Sequence, residues 1–198
     1  LKETMAAAMV KLSRYRGRDE FCDPFCGSGT IPIEAALIAK NRAPGLHRDF
    51  TAMSWSIFDR AVWQQAREEA VSREYNGDYH IIGSDIDPKA IEIARENARR
   101  AGVDDVVRFE VADATRFDRK TERGVIVTNP PYGERIMEKQ QAEELYRGFG
   151  RAWLASENWQ LYLLSSHTEF ERCFGKQADK KRKLYNGMIK CDLFMYFK

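Results

Sequence analysis

The sequence predicts an α/β fold in which a mostly parallel, seven-stranded sheet has helices on both faces and ends in an antiparallel hairpin. Two observations carry this prediction. Short runs of strand-forming residues alternate with helical apolar patterns along the 198 residues. Near the end of the chain, Asn186-Gly187 lies between two runs of strand formers, which is the strongest short hairpin signal in a single sequence.

The first half of the chain contains two predicted helices, one strand and an insertion. Residues 1–10 form an amphipathic helix that is already under way, without an initiator Met, so we expect a fragment of a longer protein. A short buried strand at 20–22 stops at a glycine-containing turn, and 31–40 carries the next helical pattern. Residues 41–78, with a polar helix around 62–75, interrupt the alternation and are interpreted as an insertion between core units.

The second half begins with a strand at 79–85 and a helix with two clear ends. Asp87 is the expected N-cap, Pro88 occupies the first helical position and Gly102 ends the helix. Further strands are predicted at 106–113, 124–129 and 159–165, a helix at 138–155, and the closing hairpin within 180–198.

Composition limits the class of protein. With 43% hydrophobic and 31% charged residues, the chain is expected to form one domain over residues 1–198. A net charge of +2 neither requires nor excludes a nucleic-acid partner. We found no run of about 20 apolar residues and no signal peptide, so a soluble, cytoplasmic protein is expected. The four cysteines lack metal-ligand spacing and are predicted to be reduced structural thiols, with no metal site.

The turn from Asp23 to Thr30, DPFCGSGT, leaves a strand and enters a helix. Gly27 and Gly29 allow the backbone to turn tightly and to approach a ligand closely. No Lys follows the glycines, and the third glycine of the dinucleotide fingerprint is missing. An uncharged part of a ligand is therefore expected here, rather than a triphosphate.

Acidic residues stand at the ends of the next strands. Asp85 ends the second strand, where its carboxylate is placed to accept the hydroxyls of a ribose. Asp113 ends the third strand, and with the backbone N–H of Ala114 it is placed to meet an adenine edge. The spacing from the glycine loop to Asp85 is about three times the usual ~20 residues, and the insertion accounts for the excess.

The segment from Asn129 to Tyr132, NPPY, ends the fourth strand and is the most specific motif in the chain. Its two prolines exclude a helix and remove two backbone donors. The corner therefore offers two hydrogen-bond acceptors, the Asn129 side-chain oxygen and the Pro130 carbonyl.

Together, DPFCGSGT, GSDIDP, Asp113 and NPPYGER resemble the Rossmann-like class I S-adenosylmethionine methyltransferases that modify amino groups. Within that class, NPPYGER and the ending KKRKLYNGMIKCDLFMY resemble the bacterial RNA guanine-N2 methyltransferases, whose members usually carry an N-terminal RNA-binding THUMP domain. The resemblance implies that S-adenosylmethionine is the cofactor and RNA, foremost ribosomal RNA, the partner. The implied cofactor-binding residues are Asp23, Phe25, Gly27, Gly29, Thr30, Asp85, Ile86, Asp113, Ala114 and Asn129. The implied substrate-binding residues are Pro131, Tyr132, Gly133 and Arg135, with Asn129, Pro130 and Tyr132 as the catalytic set.

The catalytic set suggests a mechanism for such an enzyme. The Asn129 side-chain oxygen and the Pro130 carbonyl are predicted to accept the two N–H groups of an exocyclic amine, whose lone pair then points at the methyl donor. Tyr132 is expected to offer a stacking face to an extruded base, and Arg135 to contact a phosphate or the guanine edge.

Other functions stay open at this point. Adenine-N6 methylation of DNA or RNA, and N5 methylation of a protein glutamine, use the same kind of planar NH₂ target. A catalytically silent RNA-binding domain is disfavoured because both halves of a reaction site are intact. The basic run 176–183 is expected to guide a phosphate backbone if it flanks the pocket. The sequence indicates no oligomeric state.

Overall fold

The computed structural model describes residues 1–119, 121–132, 139–156 and 158–197. The helices are α1 Glu3–Leu12, α2 Thr30–Ala39, α3 Arg60–Ser72, α4 Pro88–Ala101, α5 Lys139–Ala155 and α6 Phe170–Phe174. The strands are β1 Glu20–Asp23, β2 Ile81–Asp85, β3 Val107–Val111, β4 Gly124–Thr128, β5 Trp159–Ser165, β6 Lys180–Asn186 and β7 Ile189–Tyr196. Two short 3₁₀ helices cover Thr51–Ser54 and Ala114–Arg116.

The seven strands form one sheet in the order β3-β2-β1-β4-β5-β7-β6, which confirms the predicted fold class. β1 to β5 pair in parallel, whereas β7 is antiparallel to both of its neighbours. From β1 the chain builds outward to β2 and β3 and then returns to β4 on the other side. In such sheets ligands bind outside the carboxyl ends of the strands at this reversal, which here lies between β1 and β4.

Two hydrophobic clusters cover the two faces of the sheet. On one face, residues of α1, α2 and α4 pack against strand residues such as Phe21 and Val127. On the other face, α5 and α6 contribute large aromatic side chains, including Trp153 and Phe174. All residues of β4 are buried, so its position is determined from both sides. By contrast, α3 buries none of its residues, in agreement with an insertion outside the core.

The predicted boundaries of the helices and strands lie within three residues of the observed ones. Asp87 caps α4 by accepting from the Lys89 N–H, and Gly102 ends it in the left-handed conformation, as predicted. Helix α6 was not predicted, because five residues are too few for a periodic signal. All four cysteines are buried thiols. None of the described helices is long and apolar enough to cross a membrane.

Gly29 has a packing role that its place in the glycine loop did not reveal. It precedes α2 with φ +84°, and a Cβ added there would lie 2.9 Å from the Phe109 ring and 3.0 Å from Ala94 Cβ. The loop can therefore lie close to β3 and α4 only if this residue lacks a side chain.

We expect Gly29→Ala to destabilise the protein more than Gly175→Ala. Gly175 has a similar φ of +86°, but open space surrounds its Cβ position. The left-handed conformation alone costs about 1–2 kcal/mol, and the crowding at Gly29 adds about 1–3 kcal/mol. Urea unfolding of both variants measures the difference, and equal losses of unfolding free energy would contradict the packing role.

Candidate active site

A cavity of about 730 Å³ lies at the carboxyl edge of the sheet, where β1, β2, β3 and β4 end. Its volume is within the range of about 300–1,000 Å³ for small-molecule sites. The predicted site residues that line it are Asp23, Phe25, Gly27, Thr30, Asp85, Ile86, Asp113, Ala114, Asn129, Pro130, Pro131 and Tyr132. Gly29 does not line the cavity, because it packs inward against Phe109. The predicted substrate-binding residues Gly133 and Arg135 lie outside the described residues.

Asp85 ties the glycine loop to the end of β2. The Gly27 backbone N–H donates to Asp85 Oδ2 at 2.9 Å, and the Asp87 N–H donates to Asp85 Oδ1 at 3.0 Å. Each carboxylate oxygen can accept a second hydrogen bond, so hydroxyl groups of a ligand remain compatible with this arrangement. A Cβ at Gly27 would meet nothing within 4 Å, so this glycine leaves the neighbouring space clear.

Asp23 is a buried carboxyl group at the end of β1, with 1% of its surface exposed. Its Oδ1 accepts from Thr128 Oγ1 at 2.6 Å and from the Phe25 N–H at 3.1 Å. Burial raises the pKa of Asp23 to about 7, although both hydrogen bonds act in the opposite direction. No cationic side chain among the described residues forms an ion pair with it. A buried carboxyl group that lines a cavity and has no cationic side chain beside it is suited to pair with a cationic group of a ligand.

Asp113 and Ile86 form a different part of the wall. Asp113 Oδ1 accepts from the Thr115 hydroxyl at 2.7 Å and from the Thr115 N–H at 2.9 Å. These hydrogen bonds hold the pKa of the Asp113 carboxyl below its usual value, so it is ionised at neutral pH. Ile86 also lines the cavity, although 71% of its surface is exposed. An apolar side chain and an anionic acceptor thus line the same cavity.

The Asn-Pro-Pro-Tyr corner follows β4 directly and is held by two tyrosines. The Tyr132 hydroxyl donates to Asn129 Oδ1. The buried Tyr146 of α5 donates to the Pro131 carbonyl at 2.6 Å. No described residue donates a hydrogen bond to the Pro130 carbonyl. One hydrogen bond within the corner and one from α5 therefore hold it in place.

Tyr132 also connects the corner to the C-terminal hairpin. Cys191 Sγ lies 3.9 Å from the Tyr132 hydroxyl and donates to it, and Asn186 and Ile189 line the cavity. Burial raises the pKa of Tyr132, so its hydroxyl stays protonated and can donate to Asn129. The hairpin loop consists of Gly187 and Met188, one residue later than the Asn-Gly pair suggested, because Asn186 still pairs with Ile189.

Sequence reasoning missed several residues that support the site. Thr128 carried a weak signal, since it is a polar residue at the end of an apolar strand, directly before Asn129. Tyr146 had no local signal, because only the packing of α5 brings it to the corner. Asn186 was recognised as a turn residue, but its place beside the cavity depends on the strand order.

The chain is similar in sequence and in fold to several known proteins. The chain is 45% identical over its whole length to YpsC of Bacillus subtilis (strain 168), named a putative RNA methyltransferase, and it spans 51% of that protein. It is 42% identical, over 96% of its length, to the ribosomal RNA large subunit methyltransferase K/L of Aliivibrio salmonicida, and covers 28% of that protein. The crystal structure of SMU.472 complexed with SAH superimposes with a TM-score of 0.95 at 42% identity, over 99% of this chain and 52% of that one. A family model described as an RMKL-like methyltransferase domain matches residues 1–194, and the chain belongs to that family.

Proposed function

We propose that the chain transfers a methyl group from S-adenosylmethionine to the exocyclic N2 amine of a guanine in RNA, foremost ribosomal RNA. The observation that carries the proposal is one cavity lined by the glycine loop, by acids at successive strand ends and by the Asn-Pro-Pro-Tyr corner. The relatives YpsC and methyltransferase K/L are named as RNA methyltransferases, which supports RNA as the substrate.

The described residues fit S-adenosylmethionine. The buried carboxyl group of Asp23 is suited to the α-ammonium group, and Asp85 at the end of β2 to the ribose hydroxyls. Asp113 and the apolar Ile86 are suited to the adenine, whose edge has donors and whose faces are apolar. When bound, this cofactor supplies a methyl group on a positively charged sulfur. The protein positions the amine that attacks it.

The chemical difficulty lies in the amine. The lone pair of a guanine N2 is delocalised into the ring, so the nitrogen is a weak nucleophile. If Asn129 Oδ1 and the Pro130 carbonyl each accept one N–H, they favour a pyramidal nitrogen with a directed lone pair. The Tyr132 hydroxyl holds Asn129 Oδ1 in place and leaves its second lone pair for the amine. After transfer, the nitrogen loses its extra proton to water.

Guanine is favoured over adenine by the resemblance of NPPYGER and of the closing hairpin, since the corner itself suits any planar NH₂ group. An adenine N6 or a protein glutamine amide would meet the same two acceptors. The target base is therefore best identified by direct analysis of the product.

Asn129→Ala is expected to lower the methyl-transfer rate by about 10²–10³, because one preorganised acceptor is lost. In the assay, the chain is incubated with S-adenosylmethionine and with RNA from cells that lack this protein. The RNA is then digested, and its nucleosides are identified by mass spectrometry. Asn129→Asp, which keeps an acceptor oxygen, is expected to retain more activity than Asn129→Ala. Asn76→Ala, at an exposed position in the insertion, is the control.

The products distinguish the candidate functions. N2-methylguanosine that disappears with Asn129→Ala supports the proposal. N6-methyladenosine would contradict the substrate but keep the mechanism. Absence of any methylated nucleoside, together with no thermal stabilisation by S-adenosylmethionine, would favour the silent RNA-binding domain.

Tyr132→Phe keeps the aromatic ring but removes the donor to Asn129. A net hydrogen bond contributes about 0.5–1.5 kcal/mol, so we expect the single-turnover rate to fall about 2- to 10-fold with unchanged cofactor affinity. Tyr162→Phe removes a hydroxyl that interacts with Gln160 instead, and serves as the control. Equal rates for Tyr132→Phe and the unmodified chain would show that the hydroxyl does not position Asn129.

Cofactor affinity is expected to depend on the ionisation of Asp23. Because its pKa in the free protein is about 7, the carboxyl group must lose a proton before it can pair with an ammonium group. Below pH 7, the affinity for the cofactor should therefore increase about tenfold for each unit by which the pH is raised, and it should level off once the pH passes 7. At low pH, binding should release one proton. Calorimetry in buffers of different ionisation enthalpy measures both effects.

Two variants test this assignment. Asp23→Asn should bind more weakly and lose the pH dependence over the same range. Thr128→Val removes a hydrogen bond that lowers the pKa of Asp23, so the pH dependence should shift to higher pH. A pH dependence that persists in Asp23→Asn would assign it to a different group.

A further inference from the structure

The C-terminal hairpin reaches the rim of the active-site cavity. β7 is antiparallel to β5 and to β6, so β6 runs in the same direction as β5. The loop between β6 and β7 therefore lies at the carboxyl edge of the sheet, the same edge as the Asn-Pro-Pro-Tyr corner. Asn186 and Ile189, which flank this loop, line the cavity. The next residues away from the loop are Tyr185 and Lys190, which pair with each other. Because side chains alternate along a strand, these two lie on the face of the hairpin opposite to that of Asn186 and Ile189.

Three exposed side chains share one face of this hairpin. Side chains alternate along a strand, so Lys183 and Tyr185 lie on the same face, about 6.6 Å apart along β6. Lys190, directly opposite Tyr185, is on that face as well, with a Cβ separation of about 4.5–5.5 Å. All three are exposed, and the Tyr185 side chain is 62% exposed. We name Lys183, Tyr185 and Lys190 the hairpin-tip surface.

The charges of the hairpin-tip surface are not neutralised by ion pairs. Arg99 and Arg100 pair with Glu96, and Lys181 pairs with Glu171. In contrast, neither Lys183 nor Lys190 forms an ion pair with any residue that the structure describes. Asp192 lies opposite Lys183 in the sheet, but the two make no ion pair.

Protection of the sheet edge does not account for this arrangement. Lysines on an edge strand discourage pairing with other chains, and β6 is an edge strand with four consecutive basic residues, 180–183. However, Lys190 belongs to β7, which is covered on both sides by β5 and β6. An exposed tyrosine ring also gives no protection to an edge. An aromatic face between two cations instead matches the combination that binds single-stranded nucleic acids.

We propose that the hairpin-tip surface binds the single-stranded RNA next to the target guanine. The Tyr185 ring stacks on a neighbouring base, and the ammonium groups of Lys183 and Lys190 contact the adjoining phosphates. This inference rests on the proposed function, since it places nucleotides that flank the target base on the face of the hairpin opposite to the residues that line the cavity. The hairpin-tip surface also provides a local concentration of positive charge for a polyanion in a chain whose net charge is only +2.

The test is direct binding, which does not require catalysis. Fluorescence anisotropy measures the affinity of the chain, saturated with S-adenosylhomocysteine, for a short fluorescein-labelled single-stranded RNA that contains one guanine. Tyr185→Ala is expected to weaken binding by about 5- to 150-fold, the range for loss of one base-stacking contact, and Tyr185→Phe to restore it. Lys183→Ala and Lys190→Ala should each reduce the slope of log affinity against log salt by about 1.

Matched controls separate this surface from general effects. Tyr75→Ala removes a tyrosine that is 61% exposed in the insertion, and Arg108→Ala removes a cation from β3, the opposite edge strand. Both are expected to bind RNA like the unmodified chain. Unchanged thermal stabilisation by S-adenosylhomocysteine in every variant shows that the fold and the cofactor site are intact.

The outcomes separate the two proposals. The inference is wrong if the chain does not bind single-stranded RNA, if Tyr185→Ala and the lysine variants bind it normally, or if DNA of the same sequence binds more tightly. If the variants lose RNA affinity as expected but the chain forms no N2-methylguanosine, the inference stands and the proposed target of the methyl transfer is wrong.

Discussion

The hydrogen bond from Thr128 to Asp23 joins the two halves of the active site. It connects the ends of β1 and β4, which are 105 residues apart in the chain but adjacent in the sheet. On one side of it the glycine loop begins, and on the other side Asn129 begins the Asn-Pro-Pro-Tyr corner. β4 is buried along its whole length and pairs directly with β1, so the bond lies in the centre of the sheet. The glycine loop and the Asn-Pro-Pro-Tyr corner are therefore held at a fixed separation by the core.

Three further hydrogen bonds hold groups around the cavity. Asp85 holds Gly27, the Tyr146 hydroxyl holds the Pro131 carbonyl, and the Tyr132 hydroxyl holds Asn129. The first two hydrogen bonds join a strand end or the corner to a neighbouring element, and the third lies within the corner, so the groups at the cavity are oriented before any ligand arrives. Such preorganisation favours the reaction of a weak nucleophile, because hydrogen-bonding groups that are already oriented do not have to reorganise during the reaction.

Charge is separated between the cavity and its rim. The described residues that line the cavity include Asp23, Asp85 and Asp113 but no Lys or Arg. The interior therefore suits a cofactor that carries positive charge on a sulfonium and an ammonium group. Lys183 and Lys190 of the hairpin do not line the cavity, and under the proposed function they contact the phosphates of the RNA. Burial of Asp23 destabilises its ionised form, and a cationic ligand offsets that cost. Under the proposed function, the same arrangement keeps the RNA backbone away from the acids.

The sequence by itself determined the order of the elements, the ends of α4, the acids at the strand ends and the Asn-Pro-Pro-Tyr corner. These features depend on local spacing, and parallel strands bring their carboxyl ends to one edge regardless of strand order. Only the tertiary structure decided that Gly29 packs against Phe109, that Cys191 contacts Tyr132 and that Asn186 lies beside the cavity. Those contacts depend on which strands are neighbours and in which direction they run. Residues far apart in the chain carry no local pattern that reveals such a meeting.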